Sequence, residues 1–305
     1  MSEFRIDQIT NQAGTGGPDV AGITTFTGSS GLVLPSGSTS GREGAQFGNE
    51  NIVRDGLYFH IDAKYSYPTK QSPANGGYIR DLAGNNDLSI HGYPTWDSED
   101  GEGSIVFDDS AGDDQQFAQA DRIVIDGDLQ KFSVTFWYML TGGTNGGRGG
   151  LFERRPQNYY NGWSFGQGGS SNWSFNVSCA DDASTNYVYC VFPFPPSSNG
   201  TTWYCDSVSV DRTNATVDYR VTTPYRNGVD IKGTTGQSYT FNGTVNHPNT
   251  MDFEYRKPMC LAGRRDNSSP QTLPMKIGAV QIYNRILTPE EHLQNFNALK
   301  HRFGY

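Results

Sequence analysis

Short stretches in which apolar and polar residues alternate, separated by glycine-rich turns, fill the sequence from about residue 52 onward. Alternation with a period of two places the apolar side chains on one face of a β-strand, and short runs bounded by turn residues are typical of strands. The 37 glycines and the 13% aromatic content of this 305-residue chain agree with many short strands joined by tight turns. The sequence therefore predicts an all-β fold.

The clearest predicted strand is Phe132–Met139, in which Phe132, Val134, Phe136 and Tyr138 share one face. The opposite face is polar at its start and apolar at its end, which favours an inner strand that is covered on both sides, as in a β-sandwich. The other predicted strands are, in chain order, 57–62, 104–107, 122–125, 163–165, 173–177, 187–192, 205–210, 217–221 and 275–283, with a hairpin at 225–231 whose Asn227-Gly228 pair suits a type I′ turn.

One helix is predicted near the end of the sequence. Thr288 is a good N-cap, Pro289 fits the first helical position, and Glu291 completes a capping box. Leu293, Phe296 and Leu299 then recur at helical spacing and form one apolar stripe. We expect this helix to pack on an edge of the sandwich and to contribute stability.

Charge and leader signals limit the possible partners. The net charge is -9 with a pI near 5.0, and no cluster of lysine and arginine is present, so nucleic acid and anionic membranes are poor partners. The start, Met1 to Arg5, has no basic region followed by an apolar run, and no stretch is long enough to span a membrane. We therefore expect synthesis in a cytoplasm and, for a protein that acts outside, release by a route such as lysis.

Four cysteines lie in the second half of the chain without metal-ligand or CxxC spacing: Cys179, Cys190, Cys205 and Cys260. In a reducing cytoplasm we expect buried free thiols, because free cysteine is among the most buried residue types. A Cys179–Cys190 disulfide across a loop is the alternative.

Residues 1–50 differ from the rest, because they are rich in glycine, serine and threonine and contain only brief apolar islands. They predict an extended arm that cannot bury enough surface to fold alone, followed by one domain at 51–305. A flexible linker is one interpretation. We favour an anchor that orders against a partner chain, because a solvated linker has no use for spaced large apolar residues, here Phe4, Ile6, Ile9, Ile23, Phe26, Leu32 and Leu34.

The order of several motifs resembles the concanavalin A-like lectin/glucanase superfamily, in particular the LamG-type domains of phage structural proteins. The most specific match is Ile282–Glu291 followed by Asn295–Lys300, similar to "IYNRALTPEEI…NFNALK". The other matching segments are Asp55–Asp62 with Ser66–Pro68, Asp81–Asn86, Phe107–Asp109 with Asp113–Asp114, Phe132–Tyr138 with Leu151–Arg154, and Tyr225–Gly228. The resemblance implies a jelly-roll β-sandwich.

The arm also resembles a known segment, the leader of virion proteins of T4-like marine cyanophages. The matching residues are Phe4–Asn11, Gly22–Phe26 and Leu34–Gly37. The resemblance implies that the arm attaches the chain to other virion proteins, that the protein is located in the virion, and that the sandwich is displayed as part of a fibre, a tail or a capsid decoration. By analogy with such proteins we expect self-association as a trimer.

Catalysis is not expected. Glucanases of the superfamily carry an E-x-D-x-E pattern whose alternation places the carboxylates on one face of a strand, and this sequence has no such pattern. The nearest carboxylate cluster, 97–102, is polar and contains a glycine, so it predicts a solvated turn that tolerates substitution of Gly101. A glucanase-type hydrolase is therefore the disfavoured alternative.

Two kinds of ligand are compatible with the resemblance. Calcium, which LamG-like lectins often bind through loop oxygens, would use Asp108, Asp109, Asp113 and Asp114, with Asp126 and Asp128 nearby, although aspartates also simply form turns. A host surface glycan would use exposed aromatic platforms, for which the candidates are Tyr159, Tyr160, Trp163 and Trp173. Each of these rings has a core or oligomer contact as its alternative. The sequence thus supports a virion structural protein, with a carbohydrate-binding module as a compatible second function.

Overall fold

The fold is a sandwich of two antiparallel sheets, seen in a computed structural model. The model describes residues 51–67, 76–84, 86–108, 116–120, 131–142, 148–154, 162–168, 173–178, 187–193, 200–211, 223–242, 258–264 and 271–305. The prediction of an all-β sandwich with one C-terminal helix is confirmed. The arm 1–50 and the strands predicted at 122–125 and 217–221 lie outside the described residues.

The described elements are mostly short strands. They are β1 Leu57–Asp62, β2 Tyr78–Ile79, β3 Leu88–His91, β4 Thr95–Asp97, β5 Ser104–Phe107, β6 Phe117–Ala120, β7 Lys131–Leu140, β8 Arg148–Arg154, β9 Gly162–Gly168, β10 Trp173–Ser178, β11 Tyr187–Phe192, β12 Tyr204–Asp211, β13 Tyr225–Arg226, β14 Val229–Asp230, β15 Ser238–Asn242, β16 Cys260–Leu261, β17 Gly263–Arg264, β18 Gln271–Thr272 and β19 Met275–Tyr283. The helices are α1 Ala63–Ser66 and α2 Pro289–Leu299, with 3₁₀ turns at Asp100–Glu102 and Lys300–Phe303.

Two large sheets contain nearly all of these strands. The front sheet has the order β14-β13-β12-β7-β19-β5-β4, and β1 shares an edge of β19 with β5. The back sheet has the order β15-β11-β10-β9-β8-β16-β6-β3-β2, and β17 pairs with β18 separately. Because β1 pairs with β19, the first and the last described strands are neighbours in the front sheet.

The core between the sheets is aromatic. The predicted face of β7, which includes Phe136 and Tyr138, points into it. From the back sheet, Trp173 stacks on Tyr138 with ring centroids 4.2 Å apart, and Phe165 lies 6.2 Å from Phe136. Offset or tilted pairs of this kind add to the free energy gained by burying the rings.

A covering segment, residues 284–305, lies on the outer face of the front sheet. Phe296 and Phe303 stack on Trp137 of β7, with centroids 5.5 and 4.4 Å apart. The prediction that the helix packs on an edge of the sandwich is therefore wrong. The capping box of α2 is confirmed, since the Thr288 hydroxyl accepts from the Glu291 amide and the Glu291 carboxylate accepts from the Thr288 amide.

The predicted apolar stripe of α2 is only partly confirmed. Phe296 and Leu299 are buried, but Leu293 is 44% exposed. The inward positions near the start of the helix are instead the polar residues His292 and Asn295. Remote partners bind most of their polar atoms: both ring nitrogens of His292 meet hydroxyls of β12, and the Asn295 carbonyl accepts from the Val53 amide. The Asn295 side-chain nitrogen has no hydrogen-bond partner within the described residues.

A buried ion pair fastens the end of the covering segment. The Arg302 guanidinium donates to both oxygens of the Asp62 carboxylate at 2.6 and 3.0 Å, and both side chains are 0% exposed. Arg302 also donates to the Gly101 carbonyl at 3.1 Å. A buried charge requires such a partner, because removing it from water alone is costly.

The interface under the covering segment has polar residues at its centre, and some of their polar atoms form no hydrogen bond within the described residues. His60, Gln281 and Thr135 lie side by side on β1, β19 and β7, and all three are buried. Within the described residues, neither amide atom of Gln281 nor the Thr135 hydroxyl has a hydrogen-bond partner. Burying an unpaired amide costs about 1–3 kcal/mol, so this row weakens the interface that the ion pair and the aromatic rings strengthen.

The acidic turn at 97–102 is structural rather than solvated, which contradicts the sequence-based expectation. Asp97 and Asp100 both bind the Lys276 ammonium of β19, the first at 2.7 Å. Gly101 is buried with φ +68°, and a Cβ atom there would lie 2.4 Å from the Phe303 ring. The turn therefore supports the covering segment and does not tolerate a side chain at Gly101.

No helix in the described residues is long and apolar enough to cross a membrane.

Candidate functional site

Two of the four predicted glycan-binding aromatics are core residues. Trp163 and Trp173 are 0% exposed and face the front sheet, so the prediction that they form an exposed platform is wrong. The physical reason is that β9 and β10 are inner strands of the back sheet, and the alternation of these strands turns both indoles inward. Tyr159 and Tyr160 lie outside the described residues.

The predicted calcium ligands are mostly outside the described residues as well. Asp108 is described and exposed, just after β5, and its backbone amide donates to the Gln116 carboxamide oxygen at 2.8 Å. Asp109, Asp113 and Asp114 are not described. Within the described ranges, no group of three or more His, Cys, Asp or Glu side chains could hold a metal ion, and calcium binding stays a prediction.

The cysteine expectation is confirmed for three of the four residues, because Cys190, Cys205 and Cys260 are buried free thiols. Cys179 lies outside the described residues. Burial raises the pKa of the Cys205 thiol well above its ordinary value, so this thiol stays protonated and unreactive at neutral pH. The apolar residues proposed as virion anchors, Phe4 to Leu34, are also outside the described residues.

The buried carboxylates of the described residues are engaged in structural contacts. Asp62 pairs with Arg302, and Asp206 pairs with Arg226 at 2.7 Å. Asp81 accepts from the backbone amides of Ala83 and Asn86 at its own turn and from the backbone amide of His60 on β1. None of these groups is a separated pair of carboxylates of the kind that glycoside hydrolysis requires.

The described surface that best suits ligand contact is an edge of the back sheet. Tyr78 on β2 is 57% exposed, and it lies in register with Ser89 on β3, which lies in register with Gln119 on β6. The three side chains therefore form one outward-facing row across three strands, spanning roughly 10 Å at the usual strand spacing. The outward direction follows from alternation, because the residues between them belong to the core.

A second outward-facing row lies beside the first. His91 on β3 is in register with Phe117 on β6, and their rings stack with centroids 4.3 Å apart and planes 13° apart. Phe117 is only 7% exposed, whereas His91 is partly exposed, so the imidazole forms the outer layer of this stack. We call the surface made by Tyr78, Ser89, His91, Phe117 and Gln119 the edge platform.

The edge platform combines flat rings with uncharged polar groups. Its five side chains include no carboxylate, lysine or arginine, although the whole chain has a net charge of -9. Arg80 lies two residues after Tyr78 and is exposed. It forms no ion pair with another of the described residues. The platform therefore offers apolar ring faces, an amide and a hydroxyl for hydrogen bonding, and one cation at its end.

Sequence patterns did not identify the edge platform, because β2 has only two residues and β6 only four. The available signal was the pair Gly76-Gly77 directly before Tyr78-Ile79, where a turn is followed by one polar-aromatic and one apolar residue. The pairing of Tyr78 with Ser89 and of Ser89 with Gln119 depends on register, which a single sequence does not reveal.

These features define a β-sandwich with a covered front face and an open edge on its back sheet. Among solved structures, the chain is similar to a crystal structure of a receptor binding domain, with 15% identity and a TM-score of 0.53 over 80% of this chain and 51% of that one. It is also similar to the binding domain of botulinum neurotoxin DC in complex with SialylT, with 15% identity and a TM-score of 0.54 over 80% of this chain and 52% of that one.

The chain is also similar to a structure of botulinum neurotoxin type C, whose cell entry is dependent upon interaction with two ganglioside molecules. The identity is 17% and the TM-score is 0.51, over 75% of this chain and 50% of that one. The chain spans about half the length of these solved structures. At such identities the likeness shows the fold alone. No protein-family model and no curated protein sequence matches the chain.

Proposed function

We propose that the sandwich is a glycan-binding, lectin-like domain displayed by a phage virion, and that residues 1–50 attach it to the particle. The edge platform is the observation that carries the glycan part of this proposal. The similar neurotoxin domains add support, because two of them are described with SialylT and with gangliosides, and they share this fold.

The edge platform is complementary to a sugar ring in both its apolar and its polar groups. A sugar ring has an apolar face of C–H groups and a rim of hydroxyl groups. The exposed Tyr78 ring can pack against the first, and the Gln119 amide and the Ser89 hydroxyl can hydrogen-bond to the second, directly or through water. An open sheet face suits an extended sugar chain better than a small molecule, which prefers a concave pocket.

Arg80 suggests which sugars are preferred. A guanidinium at the end of the platform can form a bidentate pair with a carboxylate or sulfate group. The Arg80 side chain is exposed, so a ligand on the platform can reach it. We therefore expect glycans with one acidic group near an uncharged ring to bind more tightly than uncharged glycans.

The virion part of the proposal is supported by the resemblance of Phe4–Asn11 and Leu34–Gly37 to cyanophage leaders. Its test is a deletion of residues 1–50, which should leave the sandwich folded but prevent incorporation into virions. Incorporation is measured by quantifying the protein in purified particles. Incorporation at the level of the intact chain would contradict the proposed attachment role while leaving the glycan proposal intact.

The glycan part is tested on an array that contains uncharged, sialylated and sulfated glycans. We expect the intact protein to bind, Tyr78→Ala to lower affinity at least about tenfold, as loss of a central aromatic contact does, and Arg80→Ala to weaken only the acidic glycans. Tyr93→Ala is the matched control, because Tyr93 is 59% exposed but lies beyond the end of β3, off the platform. Absence of binding by the intact protein, or equal loss in the Tyr78 and Tyr93 variants, would overturn the proposed site.

A further inference from the structure

The exposed side of helix α2 carries a set of residues at regular helical spacing. Glu290, Leu293, Asn297 and Lys300 follow each other at spacings of three or four residues, which places them along one side of the helix. The first three are exposed and Lys300 is partly exposed. The stripe therefore runs from acidic through apolar and polar to basic.

The apolar part of this stripe is larger than Leu293 alone. Leu293 is 44% exposed and Tyr305 is 46% exposed, and these are two of only five large apolar side chains that are exposed in the described part of the chain. Both lie around Phe296: the Tyr305 ring is 5.5 Å from it, edge to face, and Leu293 is one turn away on the helix. The Asn227 amide holds the Tyr305 hydroxyl in place at 2.9 Å.

The charges of the stripe lie at its two ends. Glu290 lies at the start of the stripe, and its negative charge acts together with that of Asp230 to raise the pKa of Tyr225, after the larger effect of burial. At the other end, Lys300 lies over the Phe296 ring at 5.8 Å, and His301 beside it is exposed. The two ends are ten residues apart, which is roughly 15 Å along a helix.

We propose that this surface joins two copies of the chain, with the two α2 helices packed antiparallel across a two-fold axis. A surface with acid at one end and base at the other is complementary to itself only when the second copy is reversed. In that arrangement Glu290 of each copy faces Lys300 and His301 of the other. The two Leu293 side chains then lie about one helical turn apart near the axis, flanked by the two Tyr305 rings.

This pairing is independent of glycan binding, because α2 covers the front sheet and the edge platform lies on the back sheet. A two-fold pair would present both edge platforms from one assembly, and linked sites raise the overall strength of attachment without new contacts. The pairing also differs from the trimer expected from the sequence, which would need a head-to-tail contact between unlike surfaces.

The experiment is sedimentation of the full chain over a wide range of concentrations. We expect a dimer in equilibrium with monomer, and Leu293→Asp should weaken association at least about tenfold, because it places like charges near the axis. Tyr93→Asp is the control and should leave association unchanged, because Tyr93 is an exposed ring that follows β3 of the back sheet and does not belong to the α2 stripe. Thermal scans of each variant confirm that it is folded.

Charge exchange tests the antiparallel arrangement. Glu290→Lys and Lys300→Glu should each weaken the dimer, and the double exchange should restore it, because the reversed stripe is again self-complementary. A monomer at every concentration, a trimer or an open polymer, or a dimer that Leu293→Asp leaves unchanged would overturn the proposal. Failure of the double exchange to restore association would overturn the antiparallel arrangement.

Discussion

The two outer faces of the sandwich are used in opposite ways. The front sheet presents Trp137, His60 and Gln281 outward, and the covering segment buries all three. The back sheet presents Tyr78 and His91 outward at its β2 and β3 edge and leaves them accessible. Both faces mix aromatic and polar side chains, so composition alone does not distinguish them. What distinguishes them is the segment that folds back from β19 over the front sheet.

Under the proposed function, this difference separates stability from recognition. The covered face contains the long-range contacts, including an ion pair between residues 240 positions apart. The open face contributes inward-facing core residues, and its outward side chains include the stacked rings of His91 and Phe117. Substitutions on the covered face should therefore change unfolding, and substitutions on the open face should change binding.

The largest effect is expected from Arg302→Met, which leaves the Asp62 carboxylate buried without its partner. Removing one partner of a buried pair typically costs about 3–5 kcal/mol, so the melting temperature should fall sharply. Lys64→Met is the control, since it removes a more exposed pair with Glu102 and such pairs contribute about 1 kcal/mol or less. Equal melting temperatures for the two variants would show that the covering segment is not fastened by Arg302. Glycan binding by folded Arg302→Met should match that of the intact protein.

The second-largest effect is expected from acid, which should lower the stability of the covered face. Burial lowers the pKa of His292 to about 4 from its ordinary value of 6.5, and burial lowers the pKa of His60 to about 4 as well. In the unfolded chain these histidines therefore become protonated near pH 6.5. In the folded chain they stay neutral until the pH falls to about 4. Each histidine contributes stability that is complete above pH 6.5 and is lost as the pH falls toward 4, by about 3 kcal/mol.

The measurement is the free energy of unfolding by denaturant between pH 4 and 7. His292→Gln should flatten the profile, because one of the two titrating groups is gone. A variant profile as steep as that of the intact protein would exclude His292 as a source of the acid sensitivity.

Substitution of two glycines under the covering segment should lower stability by a smaller amount. Gly228 has φ +74° and a Cβ there would lie 2.9 Å from Phe296, while Gly101 has φ +68° and a Cβ would lie 2.4 Å from Phe303. Valine at either position is strained by about 1–3 kcal/mol and is also crowded, so both variants should melt below the intact protein. Gly233→Val is the control, because Gly233 has φ +76° but no atoms within 4 Å. If Gly101→Val melted no lower than Gly233→Val, Phe303 would not pack as described.

The smallest effect is expected from Gln281→Leu. Its amide is buried without hydrogen bonds among the described residues, so replacing it with an apolar side chain of similar size should change stability by less than about 1 kcal/mol in either direction. Thr135→Ala removes the neighbouring hydroxyl and serves as a second probe of the same row. A large loss of stability on Gln281→Leu would show that the Gln281 amide forms hydrogen bonds that stabilise the folded protein.

Local patterns predicted much of this fold and little of its long-range detail. The alternation in Phe132–Met139 correctly indicated a strand covered on both sides, and Thr288 with Glu291 correctly indicated the start of α2, because both depend on neighbouring residues. The sequence left the burial of Trp163 and Trp173 open as the alternative to an exposed platform, since the interior face of a strand depends on the facing sheet.

The polar residues of the covered face were misjudged for a related reason. His292 and Asn295 look like exposed positions of a helix, but the partners of the histidine are 83 to 85 positions away. The asparagine carbonyl accepts from an amide 242 positions away and from the Tyr283 hydroxyl. Gly101 looked permissive because the ring that fills the space above it belongs to Phe303. The edge platform was missed because its rows form only when β2, β3 and β6 are in register.

The pairing of β1 with β19 has a consequence for how the protein is made. Residue 57 leaves the ribosome long before its strand partner at 283 has been synthesised, so the front sheet cannot close while translation proceeds. Until then Trp137 and Asp62 lack their cover, and the nascent chain exposes an aromatic, hydrogen-bonding surface of the kind that chaperones hold and proteases attack. Incomplete chains should consequently be degraded rather than accumulate, so that premature termination removes the protein instead of releasing a partly folded sandwich.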